Sequence, residues 1–246
     1  MSLGWPAGSA SAANRPFLVY GDSLVTQSHS QLAFQLGLSG IPAVITDFPG
    51  TALCDWIPQI KLDVTRSSPS LVAIEFLGNA STQCMAQAAS RGQVIEKYRS
   101  DLIALGGWLH QRRIRLMVLG APPGLVRTSD PEVLPRSWTE GVIPGGYAPD
   151  PQPLQVMYRQ VVGERAALGW EITYSNVGTA VAAQSGGWTR VLPCLPVETP
   201  AMGCSPQHLI SVRSWDFRHF VIASNGWSSG AWRYALAIKA ALAGVA

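Results

Sequence analysis

The stretch Phe17-Leu18-Val19-Tyr20-Gly21-Asp22-Ser23-Leu24 opens on an apolar run, breaks at a glycine and sets a serine where a helix should begin. A β-branched and aromatic run of this length predicts a strand, and the glycine behind it predicts a tight turn. Similar apolar runs recur at 42–46, 70–77, 114–119 and 171–174. Between them lie longer stretches with helical spacing, notably 92–112, where Val94, Ile95, Tyr98, Leu102, Leu105 and Leu109 recur at intervals of three and four. Strands alternating with helices imply parallel pairing. The near-continuous apolar strands Leu71-Val72-Ala73-Ile74 and Leu116-Met117-Val118-Leu119 fit a sheet covered on both faces. The expected fold is therefore α/β, a three-layer α/β/α sandwich on about five parallel strands.

Residues 1–16 are small, polar and proline-containing and read as a loosely held terminus, which leaves 17–246 as a single domain. The stretch 121–153, dense in proline and glycine and including Pro122 and Pro123, predicts a long irregular loop of the kind that often carries function. From Ser228 to Ala243, Trp232, Ala235, Leu236 and Leu242 fall on helical spacing behind a serine pair able to cap, which predicts a closing helix.

Composition narrows the function. The chain has 246 residues, 47% of them apolar, enough for one sizeable core. Its net charge is +3 with 13% charged residues, and the longest basic cluster is Arg112-Arg113, so a phosphate-tracking surface and a nucleic-acid partner are not expected. No apolar run is long enough to span a membrane, and the N-terminus lacks the charged and apolar regions of an export signal, which together favour the cytoplasm. Cys54, Cys84, Cys194 and Cys204 are too widely spaced for a zinc knuckle; two disulfides or four thiols both fit.

A serine hydroxyl is a weak nucleophile at neutral pH and needs a histidine to take its proton and an acid to orient that histidine. Of the four histidines, His219 follows Asp216 by three residues just ahead of the closing helix, whereas His29, His110 and His208 lack such a partner in sequence. The oxyanion of a tetrahedral intermediate needs fixed donors. Gly50 follows the second strand and Asn79 the third, and parallel strands put their carboxyl ends on one edge, so Ser23, Gly50 and Asn79 converge there. The N–H groups of Ser23 and Gly50 with the amide of Asn79 would make a three-donor hole. Asp22, too near Ser23 to orient His219, reads as a capping acid at the helix N-terminus. Of the nine tryptophans, Trp56, Trp138, Trp188, Trp215 and Trp227 fall in or near predicted loops, and Trp215 is placed by proximity as a substrate contact.

These four segments, in this order, resemble the SGNH, or GDSL, hydrolase family, over residues 17–235. The resemblance implies a flavodoxin-like sandwich, Ser23 as nucleophile, Gly50 and Asn79 as oxyanion donors, Asp216 and His219 as the acid and base, and no cofactor. The third block departs from the usual Gly-x-Asn-Asp, since glycine directly precedes Asn79 and Ala80 replaces the second acid. The stretch Thr51-Ala52-Leu53-Cys54-Asp55-Trp56, with Gly78-Asn79 and Cys84 downstream, looks like actinobacterial members in which such cysteines are paired. By that likeness Cys54 would bridge Cys84, and Cys194 would bridge Cys204, an arrangement that favours a secreted protein whose signal was removed.

The resulting expectation is serine-dependent chemistry on O-acyl esters of small molecules, sugars among them. Two alternatives stand beside it. One is an O-acyltransferase passing a short or medium acyl chain, from a donor such as an acyl thioester, to a sugar hydroxyl, as in octanoyltransferases of glycolipid and polysaccharide precursor assembly. The other is a catalytically silent carbohydrate-binding protein.

Overall fold

The computed structural model describes residues 15–127, 147–149, 152–214, 216 and 218–245. Five parallel strands form the central sheet: β1 (Phe17–Gly21), β2 (Ala43–Asp47), β3 (Leu71–Glu75), β4 (Arg115–Leu119), and, after β5 (Leu125–Arg127) and β6 (Tyr147–Pro149), β7 (Ile172–Ser175). Their order is β2-β1-β3-β4-β7, and β1 pairs in parallel with both β2 and β3. The order reverses direction on either side of β1, so the crevice of this doubly wound sheet opens at the carboxyl ends of β1 and its neighbours.

Alternation along the strands divides the core in two. Phe17, Val19, Leu71, Ala73, Met117 and Leu119 pack on one face against α1 (Ser23–Leu38) and α5 (Ser229–Ala243). Leu18, Tyr20, Val72, Ile74, Leu116 and Val118 pack on the other against α2 (Leu53–Ser67), α3 (Arg91–His110) and α4 (Pro153–Ala167). A fully buried aliphatic side chain contributes about 2 kcal/mol, so strands buried on both faces gain from every position, which is why they read as continuous apolar runs. The three-layer sandwich expected from the sequence is the observed fold.

Within 121–153 the expected irregular loop needs correction: β5 and β6 pair antiparallel, Val126 opposite Ala148. Three-residue ladders beside prolines leave no period for a sequence to display. Residues 128–146, and Trp138 with them, lie outside the described residues, as does the segment 1–14. A second small ladder, β8 (Val191–Pro193) against β9 (Leu209–Ser211), stands ahead of the closing helix. Among the described residues no helix is long and apolar enough to cross a membrane.

Two sulfur pairs are at bonding distance. Cys54 at the start of α2 joins Cys84 beyond β3, with Cα atoms 6.1 Å apart, and Cys194 joins Cys204 in the segment between β8 and β9, with Cα atoms 6.0 Å apart.

Candidate active site

Gly21 ends β1 in a space that admits no side chain, since an added Cβ would lie 2.1 Å from Val25 Cγ2 and 3.1 Å from the Glu75 carbonyl oxygen. The chain therefore turns directly from strand to helix, and Ser23 becomes the first residue of α1. Its N–H belongs to the first turn, where helical geometry supplies no acceptor.

His219 Nε2 lies 2.8 Å from Ser23 Oγ across 196 residues of sequence. On its other side Nδ1 meets Asp216 Oδ2, while Asp216 Oδ1 accepts the N–H groups of Arg218 and His219, each at 3.0 Å. This network assigns the Nδ1–H tautomer, leaving Nε2 free to accept the serine proton. Burial alone would raise the Asp216 pKa, but the hydrogen bonds from the His219 ring and the two N–H groups outweigh it and hold the pKa at about 2. The acid stays charged throughout the neutral range, which suits it to steady an imidazolium.

The histidine segment is fixed to the serine helix. Phe220 N–H donates to Gln27 Oε1 of α1 at 2.9 Å, and Ser214 N–H donates to the His219 carbonyl at 2.8 Å. Behind it, buried Glu198 accepts the Leu195 N–H at 2.6 Å and Arg233 Nη2 at 2.7 Å and also holds Ser229 Oγ, tying the disulfide-bridged segment to the start of α5.

Of the expected oxyanion donors, Gly50 sits in the turn after β2 with φ +80°, and its N–H takes no acceptor among the described residues. Asn79 follows β3, and its amide is engaged twice: Nδ2 donates to Asp22 Oδ2 at 2.8 Å and to the Thr51 carbonyl at 3.0 Å. The structure thus gathers the segments of Ser23, Gly50 and Asn79, with two backbone donors open and the side-chain donor already occupied. Trp215, the expected substrate contact, lies outside the described residues.

Asp22 does more than cap. Its Oδ1 accepts the Leu24 N–H at 3.4 Å, a weak cap, whereas Oδ2 accepts the Leu77 N–H at 2.7 Å as well as the Asn79 amide. Burial raises its pKa to about 6, against the lowering effect of the Leu77 and Leu24 N–H groups. Beneath it, fully buried Glu75 finds no donor for either oxygen as a carboxylate. Burial first, and then the neighbouring Asp22 charge, push the Glu75 pKa well up, so the protonated carboxyl can donate to Asp22. Glu75 escaped the sequence reading because it closes an apolar run. His29, without a partner in sequence, meets Asp47 Oδ2 at 2.5 Å across α1 and β2. Among the described residues its Nε2 meets no hydroxyl, whereas that of His219 meets Ser23 Oγ.

A cavity of about 420 Å³ is lined by residues that neighbour Asn79 and His219 in the chain, though neither of these two nor Ser23 lines it. Leu77, Gly78 and Ala80, on either side of Asn79, form one wall; Val94 and Ile95 of α3 and Leu154 of α4 make it largely apolar; Arg213 and Arg218 close the side next to Asp216 and His219.

No protein-family model and no curated protein sequence matches the chain. Solved structures do. A Bacteroides fragilis protein assigned as an acylhydrolase superposes with a TM-score of 0.57 at 12% identity, covering 94% of this chain and 88% of its own. A GDSL-like lipase from Bacteroides thetaiotaomicron gives 0.55 at 11% identity, covering 94% and 89%. The family 3 carbohydrate esterase of Clostridium thermocellum gives 0.50 at 11% identity, covering 94% and 98%. Sheet order, helix placement and these superpositions agree: the chain has the fold of the GDSL-like lipases and acylhydrolases.

Proposed function

We propose that this protein is a serine hydrolase of O-acyl esters, of the GDSL type, with Ser23, His219 and Asp216 as its catalytic groups. The observation that carries the reading is the relay from Asp216 through His219 to Ser23, with Oγ and Nε2 2.8 Å apart. His219 Nε2 takes the Ser23 proton as Oγ attacks the ester carbonyl, and Asp216 steadies the imidazolium that forms. The N–H groups of Ser23 and Gly50 face no competing acceptor and serve the oxyanion; Asn79 joins them if one amide hydrogen leaves Asp22 or Thr51. The imidazolium then protonates the departing alcohol, and a water activated by the same Nε2 releases the acyl group. A sugar hydroxyl in place of that water would make the same residues a transferase. The carbohydrate esterase among the fold neighbours supports sugar esters as substrates.

A fluorophosphonate probe should label the wild-type protein at Ser23, and Ser23→Ala should abolish labelling and lower kcat on a 4-nitrophenyl ester by at least about 10⁴-fold. Labelling elsewhere, or full activity in Ser23→Ala, would sink the assignment. Adding a sugar to the assay separates the two outcomes of the acyl-enzyme, because a transferase would form acyl-sugar faster than free acid.

A further inference from the structure

Arg213 is 1% exposed and is among the largest fully buried side chains of the molecule. Its backbone bridges to Phe220, next to His219, and its side chain lines the cavity beside Asn79. Among the described residues only Nη2 has a hydrogen-bond acceptor, the Pro123 carbonyl at 2.6 Å; Nε and Nη1 are buried with none. No ion pair joins Arg213 to a described carboxylate. Asp216 acts on it only through space, and Asp216 already holds three donors. Burial lowers the Arg213 pKa to about 10, which leaves the guanidinium charged at neutral pH.

The Phe220 ring, its centre 5.6 Å from the guanidinium carbon, offsets only part of the cost of a buried charge that has no carboxylate partner among the described residues. The bond to Pro123 accounts for Arg213 as a tether between the histidine segment and the loop after β4, but a tether needs one donor. Four of its five N–H donors remain, and the second Nη2 hydrogen makes, with Nη1 or with Nε, the planar fork that matches a carboxylate. Arg218, exposed at the same side of the cavity, adds a second positive charge.

Building on the ester-hydrolase reading, we propose that the cavity binds a carboxylate belonging to the substrate, held by Arg213, so that the preferred ester carries an acid group as well as its scissile bond. The apolar walls accept the carbon chain and the arginine fork accepts its charged end. The acid belongs either to the acyl chain, as in a half-ester of a dicarboxylic acid, or to the alcohol.

Matched pairs of esters separate the two sources: 4-nitrophenyl pentanoate against the 4-nitrophenyl half-ester of glutaric acid for the acyl side, and phenyl acetate against 4-carboxyphenyl acetate for the alcohol side. In one pair the acid-bearing ester should show a kcat/KM higher by about tenfold or more, the gain expected of a charge-assisted hydrogen bond. Arg213→Met should erase that preference, read as the ratio of the two kcat/KM values within the pair. Equal rates within both pairs, or a preference that survives Arg213→Met, would overturn the proposal.

Because loss of the Pro123 tether can unfold that variant, a second measurement uses the intact side chain. In the Ser23→Ala protein with ¹⁵N-labelled arginine, a buried Arg Nε–H resonance should shift on adding glutarate and stay in place on adding glutaramide. No difference between the two would refute the carboxylate site. This readout needs no turnover: a shift in a protein that proves catalytically silent would remove the hydrolase reading and keep the site.

Discussion

At the scale of single residues, the unusual feature is a pair of acids under the serine. A carboxyl whose folded pKa lies above its unfolded value stabilises the protein fully below the unfolded value and loses that contribution as pH rises through the folded one. Asp22, raised to about 6, and Glu75, raised well above the ordinary range, both have this sign. Burial first, and then these same charges, also raise the pKa values of Tyr98, Tyr158 and Tyr234, so they remain neutral over the same window. The Tm should therefore fall as pH rises from about 4 through 6 and above. Glu75→Gln keeps an N–H for Asp22 and removes one ionisation, so its Tm should decline less steeply across that window. Parallel slopes for the two proteins, followed by thermal melts at matched ionic strength, would show that Glu75 does not titrate there. None of this could be read from the sequence, where Asp22 offers only the local cap. Its shorter bonds reach Leu77 and Asn79, 55 and 57 residues away.

At the scale of elements, what decides reactivity is how α1 is registered against the segment carrying His219. Gln27 lies one turn after Ser23 and holds the N–H of the residue after His219, so one helix positions both the proposed nucleophile and the proposed base. Gln27→Ala should lower kcat by about 10- to 100-fold with little change in KM, since a loosened base misaligns the proton transfer without altering the pocket. Steady-state kinetics on an aryl ester, with a melt confirming the fold, would measure it; an unchanged kcat would show that other contacts hold His219. The inner strands β1, β3 and β4 were legible because burial on two faces makes each a plain apolar run, and the half-exposed edge strands β2 and β7 because β-branched residues mark them. The blocks at Ser23, Gly50, Asn79 and His219 were legible because each stands at or beyond an element end. The ladders β5–β6 and β8–β9 were not, and neither was the Gln27 bond, because a single polar contact across 193 residues has no local signature.

At the scale of the whole molecule, the two disulfides close loops of different reach. With sequence separations of 30 and 10, loop-closure entropy gives them about 3–4 and 2–3 kcal/mol respectively. The first encloses β3 and Asn79 and the second braces the approach to His219. Reduction should lower the Tm by about 10 °C or more, at 2–4 °C per kcal/mol for a chain of this size. Cys194→Ser with Cys204→Ser should lower it by less than Cys54→Ser with Cys84→Ser. Calorimetry with and without reductant tests both, and an unchanged Tm would show that the cross-links add nothing.

The span between Ser23 and His219 also bears on synthesis. Ser23, Gly50 and Asn79 leave the ribosome before His219, the proposed base, which arrives just ahead of α5, whose packing against α1 completes that face of the core. On the proposed mechanism a growing chain thus carries Ser23 well before it has the means to ionise it, and becomes reactive only when α5 docks.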